Sequence, residues 1–300
     1  MTSSSPTHSF NKTTGETPAV AEAPIVEAET MRHQFDTLGF AHLRSIFSQE
    51  SNQRFLNLIR EESQLRDHDA PHVISGVIKG YLSPGMVCRE RVFWPLITSQ
   101  PILTAIGALL GADFKFCLAA DVGFAHRSGY PFHRDTVIDT QNGPHWDHSL
   151  STYGIVRAIT CFHEHRTFRF GVTPRSHLPQ TPYGDVNEPS VQWFDLNPGD
   201  VMLFDPRIRH SGQKNDFPKY GVILTYGKNN EYTQEYYFYR RLVQLCDLYE
   251  APSSEFIQFL RDQNLFQEYI HNENLLGHYE KKFAHIPKRN PEQETRYRMR

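Results

Sequence analysis

Residues 114–227 read as a series of short β-rich runs, 114–119, 154–162, 168–172, 191–194, 201–204 and 220–226, with Gly and Pro turns between them. Runs this short and this regularly spaced bury little by themselves. They must pair with strands far away in the chain, which argues for a sandwich or jelly roll. Helical periodicity flanks the block. Ser48 is a good N-cap for a helix carrying Phe55, Leu58 and Ile59 on one face. A second helix opens near Pro101, repeats Leu103, Ile106, Leu109 and Leu110, and stops at Gly111. After Thr233 the helical period returns in Leu242, Leu245 and Leu248, then in Phe256, Phe259 and Leu260. The expected fold class is mainly β with flanking helices (α+β), in a single domain over 31–280.

The two ends read differently. Residues 1–30 are rich in Ser, Thr, Pro, Ala and Glu, with Phe10 their only aromatic side chain, and are expected to form a disordered arm. In 281–300, with Glu280 just before it, Lys281, Lys282, Lys288, Arg289, Arg296, Arg298 and Arg300 outnumber Glu280, Glu292 and Glu294, and Pro287 and Pro291 interrupt any helix. That stretch reads as a solvated basic tail.

Charge and composition exclude several functions. The 31 Lys and Arg nearly cancel the 34 Asp and Glu, leaving a net charge of -3 and no basic field to draw nucleic acid or a membrane surface. No apolar run approaches the roughly 18 residues of a membrane span. Glu16, Glu22, Glu27 and Glu29 suit neither a signal nor a transit peptide, so the chain reads as cytoplasmic. Cys88, Cys117, Cys161 and Cys246 form no CxxC pair and are expected to be reduced, structural thiols. What remains for chemistry is 16 histidines.

Non-haem Fe(II) oxygenases hold their metal with two histidines and one carboxylate on one face, leaving positions open for a cosubstrate and O2. His133-Arg134-Asp135 offers the first half of that set, since alternation along an extended segment turns His133 and Asp135 the same way. The spacing alone is weak. With 16 histidines and 15 aspartates, chance supplies about one such pair, and a second one, His145-Trp146-Asp147, does occur. The distant histidine discriminates better. His210 ends the stretch that begins at Asn197, in which Pro198, Gly199 and Asp200 make a turn and 201–204 a buried strand.

These residues together resemble the phytanoyl-CoA dioxygenase superfamily of Fe(II)/2-oxoglutarate oxygenases, from about Phe35 to Arg241. Phe35-Asp-Thr-Leu-Gly-Phe40 with Leu43 and Phe47 looks like the family's opening strand before a helix. The His133/Asp135 pair, Gly171-Val-Thr-Pro-Arg-Ser-His177, Gly199-Asp200 through His210-Ser-Gly212, and 220–227 follow in the family's order. The resemblance implies a double-stranded β-helix (jelly roll, cupin-like) with Fe(II) held by His133, Asp135 and His210, and with 2-oxoglutarate and O2 as cosubstrates. It further implies hydroxylation or desaturation of a small-molecule substrate, because Asp135 fills the carboxylate position that halogenating relatives leave empty.

The chain also departs from the family. Members carry an arginine for the distal carboxylate of 2-oxoglutarate on the strand after the distal histidine, and here Gly221 stands eleven residues past His210. Lys219, at the start of that strand, and Arg157, in the strand 154–162, are the two candidate cations. Because of the missing arginine, a metal- or ligand-binding barrel without 2-oxoglutarate turnover remains an alternative, as does a metal-dependent isomerase or hydrolase. Other residues read plainly. His145, Asp147 and His148 lie in an expected loop, and His163 and His165 at a strand end are expected on the surface. Ser176 and His177 should bond to backbone, and Arg175 replaces the family's usual glycine. Tyr236, Tyr237, Tyr239, Arg240 and Arg241 should pack the C-terminal helical region onto the barrel.

Overall fold

The computed structural model describes residues 28–65, 81–84, 86–126, 132–135, 138–139, 143–144, 154–164, 166–178, 190–213, 217, 219–240, 252–268, 273–282 and 284. In chain order its elements are α1 (Ala28–Leu38), β1 (Phe40–Leu43), α2 (Gln49–Leu65), β2 (Tyr81–Pro84), α3 (Met86–Arg89), a 3-10 turn (Arg91–Phe93), α4 (Trp94–Ile97) and α5 (Gln100–Leu110). There follow β3 (Phe114–His126), β4 (Ile138–Asp139), β5 (Gly143–Pro144), β6 (Ile155–Phe162), β7 (Phe168–Thr173), β8 (Gln192–Leu196), β9 (Val201–Phe204), β10 (Arg209–Gly212) and β11 (Lys219–Lys228). Helices α6 (Glu231–Tyr239), α7 (Ser254–Asp262) and α8 (Glu273–Lys282) close the chain.

Every ladder is antiparallel. The large sheet has the order β1-β9-β6-β11-β3-β2, and a small sheet runs β10-β7-β8. From β6 onward the chain alternates between them: β6 in the large sheet, β7 and β8 in the small, β9 in the large, β10 in the small, β11 in the large. A bridge between His133 and His210 adds one rung beside β10.

The large sheet is buried on both faces, which is why β6 reads as a nearly unbroken apolar run. On its outer face Val156, Ala158, Phe162, Leu203, Leu224 and Tyr226 pack under the helices, in one core with Phe55, Ile59, Ile106 and Phe256. On its inner face Cys161, Met202 and Phe204 meet Phe168, Phe170 and Val172 of the small sheet in a second core. Strand alternation puts Arg157, Ile159, Cys161 and His163 on that inner face. The register of β6 with β11 sets Gly221 beside Cys161 and Thr225 beside Arg157.

Two expectations at the ends change. Ala28–Leu38 is helical, with Met31 and Phe35 buried, so Phe35 belongs to a helix and the opening strand begins at Phe40. Lys281 and Lys282 form the last turn of α8, where cations complement the helix dipole, rather than the start of a tail. The remaining residues of 1–30, those of 281–300 other than Ala284, the leucines at 242, 245 and 248, and His145, Asp147 and His148 lie outside the described residues. Among the described residues no single helix is long and apolar enough to cross a membrane.

Candidate metal centre

The turn that delivers His210 is built from backbone and carboxylates. Asp200 accepts from Ser45 N and Asn197 N at 2.8 and 2.9 Å and pairs with His42 at 3.0 Å, tying the β8–β9 turn to the chain after β1. After β9, the buried Asp205 accepts from Arg207 N at 2.8 Å and holds the Arg207 guanidinium, so the chain reverses tightly into β10. Ser176 Oγ accepts from Arg209 N at 2.7 Å, and His177 Nε2 lies 3.1 Å from Asp36 O, so both bond to backbone as their turn position suggests. Arg175 in this turn takes φ +65°.

His133 and His210 exchange two backbone hydrogen bonds, His133 N to His210 O at 3.0 Å and His210 N to His133 O at 2.9 Å, which sets their rings side by side with centroids 4.4 Å apart. Asp135 N donates to Pro206 O at 2.9 Å, holding the second residue of the pair on the same face. Asp135 Oδ1 lies 3.6 Å from His133 Nε2, and Asp135 Oδ2 lies 3.5 Å from His210 Nε2. One donor atom from each of the three residues falls within 4.8 Å of the others.

Each ligand is prepared electrostatically. His210 Nδ1 faces Ile208 O at 3.1 Å, which leaves Nε2 as the lone-pair nitrogen. Burial pushes the His210 ring down to about 3, further than the Asp135 charge raises it, so the ring is neutral, as a ligand must be. Burial alone would raise the Asp135 carboxyl. The charge of the buried Arg157 guanidinium opposes burial, and the carboxyl is held well below the usual carboxylate range. Two imidazoles and an ionised carboxylate on one face fit a divalent first-row ion such as Fe(II).

The two candidate cations separate. Arg157 is buried and donates to Asp135 Oδ2, so it belongs to the metal end of the interior. Lys219 is also buried. Its Nζ donates to Gln213 O at 2.9 Å and sits 4.6 Å over the Phe168 ring, further along the same interior. The sequence reading missed the contact between Arg157 and Asp135. The signal was a charged residue inside a buried strand, which demands a partner without identifying it. Helix α6 borders the same end: Tyr236 and Arg240, one turn apart and both buried, face it, and the Arg240 charge also acts on Asp135. His163, expected on the surface, is only 4% exposed, because its strand end turns inward beneath Phe168. His165 lies outside the described residues.

No protein-family model and no curated protein matches the sequence. Among solved structures the chain is similar to HygX from Streptomyces hygroscopicus, with nickel and 2-oxoglutarate bound, at 15% identity and TM-score 0.54, over 69% of this chain and 88% of that one. It is similar to the non-haem α-ketoglutarate-dependent epimerase SnoN of nogalamycin biosynthesis at 13% identity and TM-score 0.52, over 67% and 83%. The carbocyclase SnoK of the same biosynthesis gives 14% and 0.51, over 71% and 87%. Identities this low establish a shared fold.

Proposed function

We propose that this protein is a mononuclear non-haem Fe(II) enzyme that uses 2-oxoglutarate and O2 to hydroxylate or desaturate an unactivated C–H bond of a small-molecule substrate, releasing succinate and CO2. The observation that carries this reading is the convergence of His133, Asp135 and His210 on one point of the interior. The fold neighbours support it, since HygX holds 2-oxoglutarate and SnoN and SnoK are described as α-ketoglutarate dependent. On this reading the two sheets, with the His133 rung, form the double-stranded β-helix of the phytanoyl-CoA dioxygenase-like enzymes.

Iron, when bound, supplies the oxidising power for C–H cleavage. The chain supplies geometry and a dry interior. His133 and His210 offer Nε2, Asp135 offers its carboxylate, and Arg157 holds that carboxylate in one orientation. Phe170 and Phe204, with ring centroids 5.5 and 4.6 Å from His210, exclude water on one side. Lys219 pairs with the far carboxylate of 2-oxoglutarate. Asp135 occupies the position a halide would need, which favours hydroxylation or desaturation over halogen transfer.

Anaerobic titration with Fe(II) and then 2-oxoglutarate tests the reading through the weak visible charge-transfer band of the complex. The band should vanish in His210→Ala, and Lys219→Ala should need roughly tenfold or more 2-oxoglutarate to reach it. Iron binding with no band at saturating 2-oxoglutarate would overturn the cosubstrate and favour a metal-binding module instead.

A further inference from the structure

We infer that His163 is the second donor to the distal carboxylate of the 2-oxo acid, completing with Lys219 a two-point anion site at the inner end of the barrel. The inference rests on the reading above and adds the residue that makes the cosubstrate site whole.

Position comes first. Register pairs Tyr220 with Phe162, so one step further along both strands Lys219 of β11 stands across from His163, just past the end of β6. Phe162 belongs to the outer core, and alternation therefore turns His163 inward. Both side chains meet the same ring: Lys219 Nζ is 4.6 Å from the Phe168 centroid, and the His163 ring is 6.5 Å from it. Asn52 of α2 donates to His163 O at 2.6 Å and fixes the backbone there.

Spacing comes second. Lys219 Nζ lies 3.5 Å from where a Cβ on Gly212 would stand. Gly212 is two residues along β10 from His210, on the same face, which is about 7 Å at the rise of a strand. A separation of this order suits a short diacid held at one end by the metal-ligand set and at the other by Lys219, whereas an acid with one carboxylate has no second one to place there.

Satisfaction comes third. A buried carboxylate presents two oxygens and about four lone-pair sites, more than the three N–H donors of one ammonium can serve. Lys219 already gives one hydrogen to Gln213 O. His163 Nε2 is buried and has no hydrogen-bond partner among the described residues, an orphan donor beside a cation. Burial, helped by the Lys219 charge, lowers the ring to about 4, so His163 is neutral at pH 7 and can carry its one proton on Nε2.

The test is calorimetric titration of 2-oxoglutarate into the full chain loaded with Mn(II), which binds without turnover, for the parent, His163→Phe and His163→Gln. His163→Phe should weaken 2-oxoglutarate roughly ten- to hundredfold, the range for losing a hydrogen bond to a charged group. His163→Gln, which keeps an N–H donor, should recover most of that loss, and Mn(II) affinity should stay within about twofold. Unchanged 2-oxoglutarate affinity in His163→Phe overturns the inference. So does a Gln variant as weak as the Phe variant with an equal loss of melting temperature, because that pattern is structural. A parent that binds Mn(II) and no 2-oxoglutarate instead removes the cosubstrate reading itself, and the inference with it.

Discussion

At the scale of single residues the interior is a line of charges under apolar cover: Arg157 on Asp135 at the metal end, Lys219 and His163 at the other. Lys219 makes this line sensitive to pH. Burial lowers its ammonium to about 8. Cys161 is pushed up by burial to about 12, and His163 is pushed down to about 4, so Lys219 is the group of the three that titrates near neutrality. For a base the charged form is the protonated one, present below its pKa and lost above it. The affinity of the Mn(II)-loaded protein for 2-oxoglutarate should therefore be level on the acid side of about 8 and fall above it, by up to tenfold per pH unit. Lys219→Arg, charged throughout, should level the curve, and calorimetry across this range reads both. A parent curve that stays flat through pH 9 would mean that Lys219 does not carry the anion.

At the scale of elements, legibility followed how local the cause was. The strand runs near 155–162, 168–173, 201–204 and 219–228 and the helix stop at Gly111 were readable because apolar patterning and turn residues act over a few positions. Helix α1 was hidden because its segment shares Glu, Ala and Thr with the residues before it, and only burial of Met31 and Phe35 under the fold makes it a helix. The inward turn of His163 was hidden because it depends on which sheet face is covered, a property of the assembled layers. In the metal set, by contrast, the Asn197–Asp200 turn was a clear signal. Gly199 there has φ +90°, and a Cβ would stand 2.2 Å from Phe47 O, a backbone atom that cannot swing away. Gly111 has the same φ with nothing within 4 Å. Gly111, at φ +90° and ψ 175°, sits in a region essentially reserved for glycine, so Gly111→Ala should show that backbone strain alone, about 1–3 kcal/mol. Gly199→Ala should lose clearly more, and urea unfolding of the two variants separates clash from strain. Equal losses would mean the loop at Phe47 relaxes freely.

At the scale of the whole molecule, one sheet serves two cores that have different duties. The outer core joins the helices to the large sheet through contacts such as Phe55 with Phe47 and Phe162, at ring separations of 6.2 and 5.5 Å. The inner core joins the two sheets and touches the metal ligands, with Phe170 packed at 5.5 Å on both Phe204 and His210. Phe55 and Phe170 are almost equally buried, at 3% and 2% exposure, so area gives no reason to expect different losses. Phe55→Ala and Phe170→Ala should each destabilise by about 3–5 kcal/mol. Their functional effects should diverge. Removing Phe55 opens space on the face of the sheet that carries no ligand, and β6 and β9 lie between that space and the metal centre. Removing Phe170 takes away the ring stacked on His210 and lets the imidazole lean out of its ligand geometry. At a temperature where both variants remain folded, Mn(II) affinity should be near the parent's in Phe55→Ala and reduced about tenfold or more in Phe170→Ala, in line with losses seen when the support of a ligand is removed. Equal weakening in both would show that the sheet transmits packing changes from one face to the other, and that the two cores act as one.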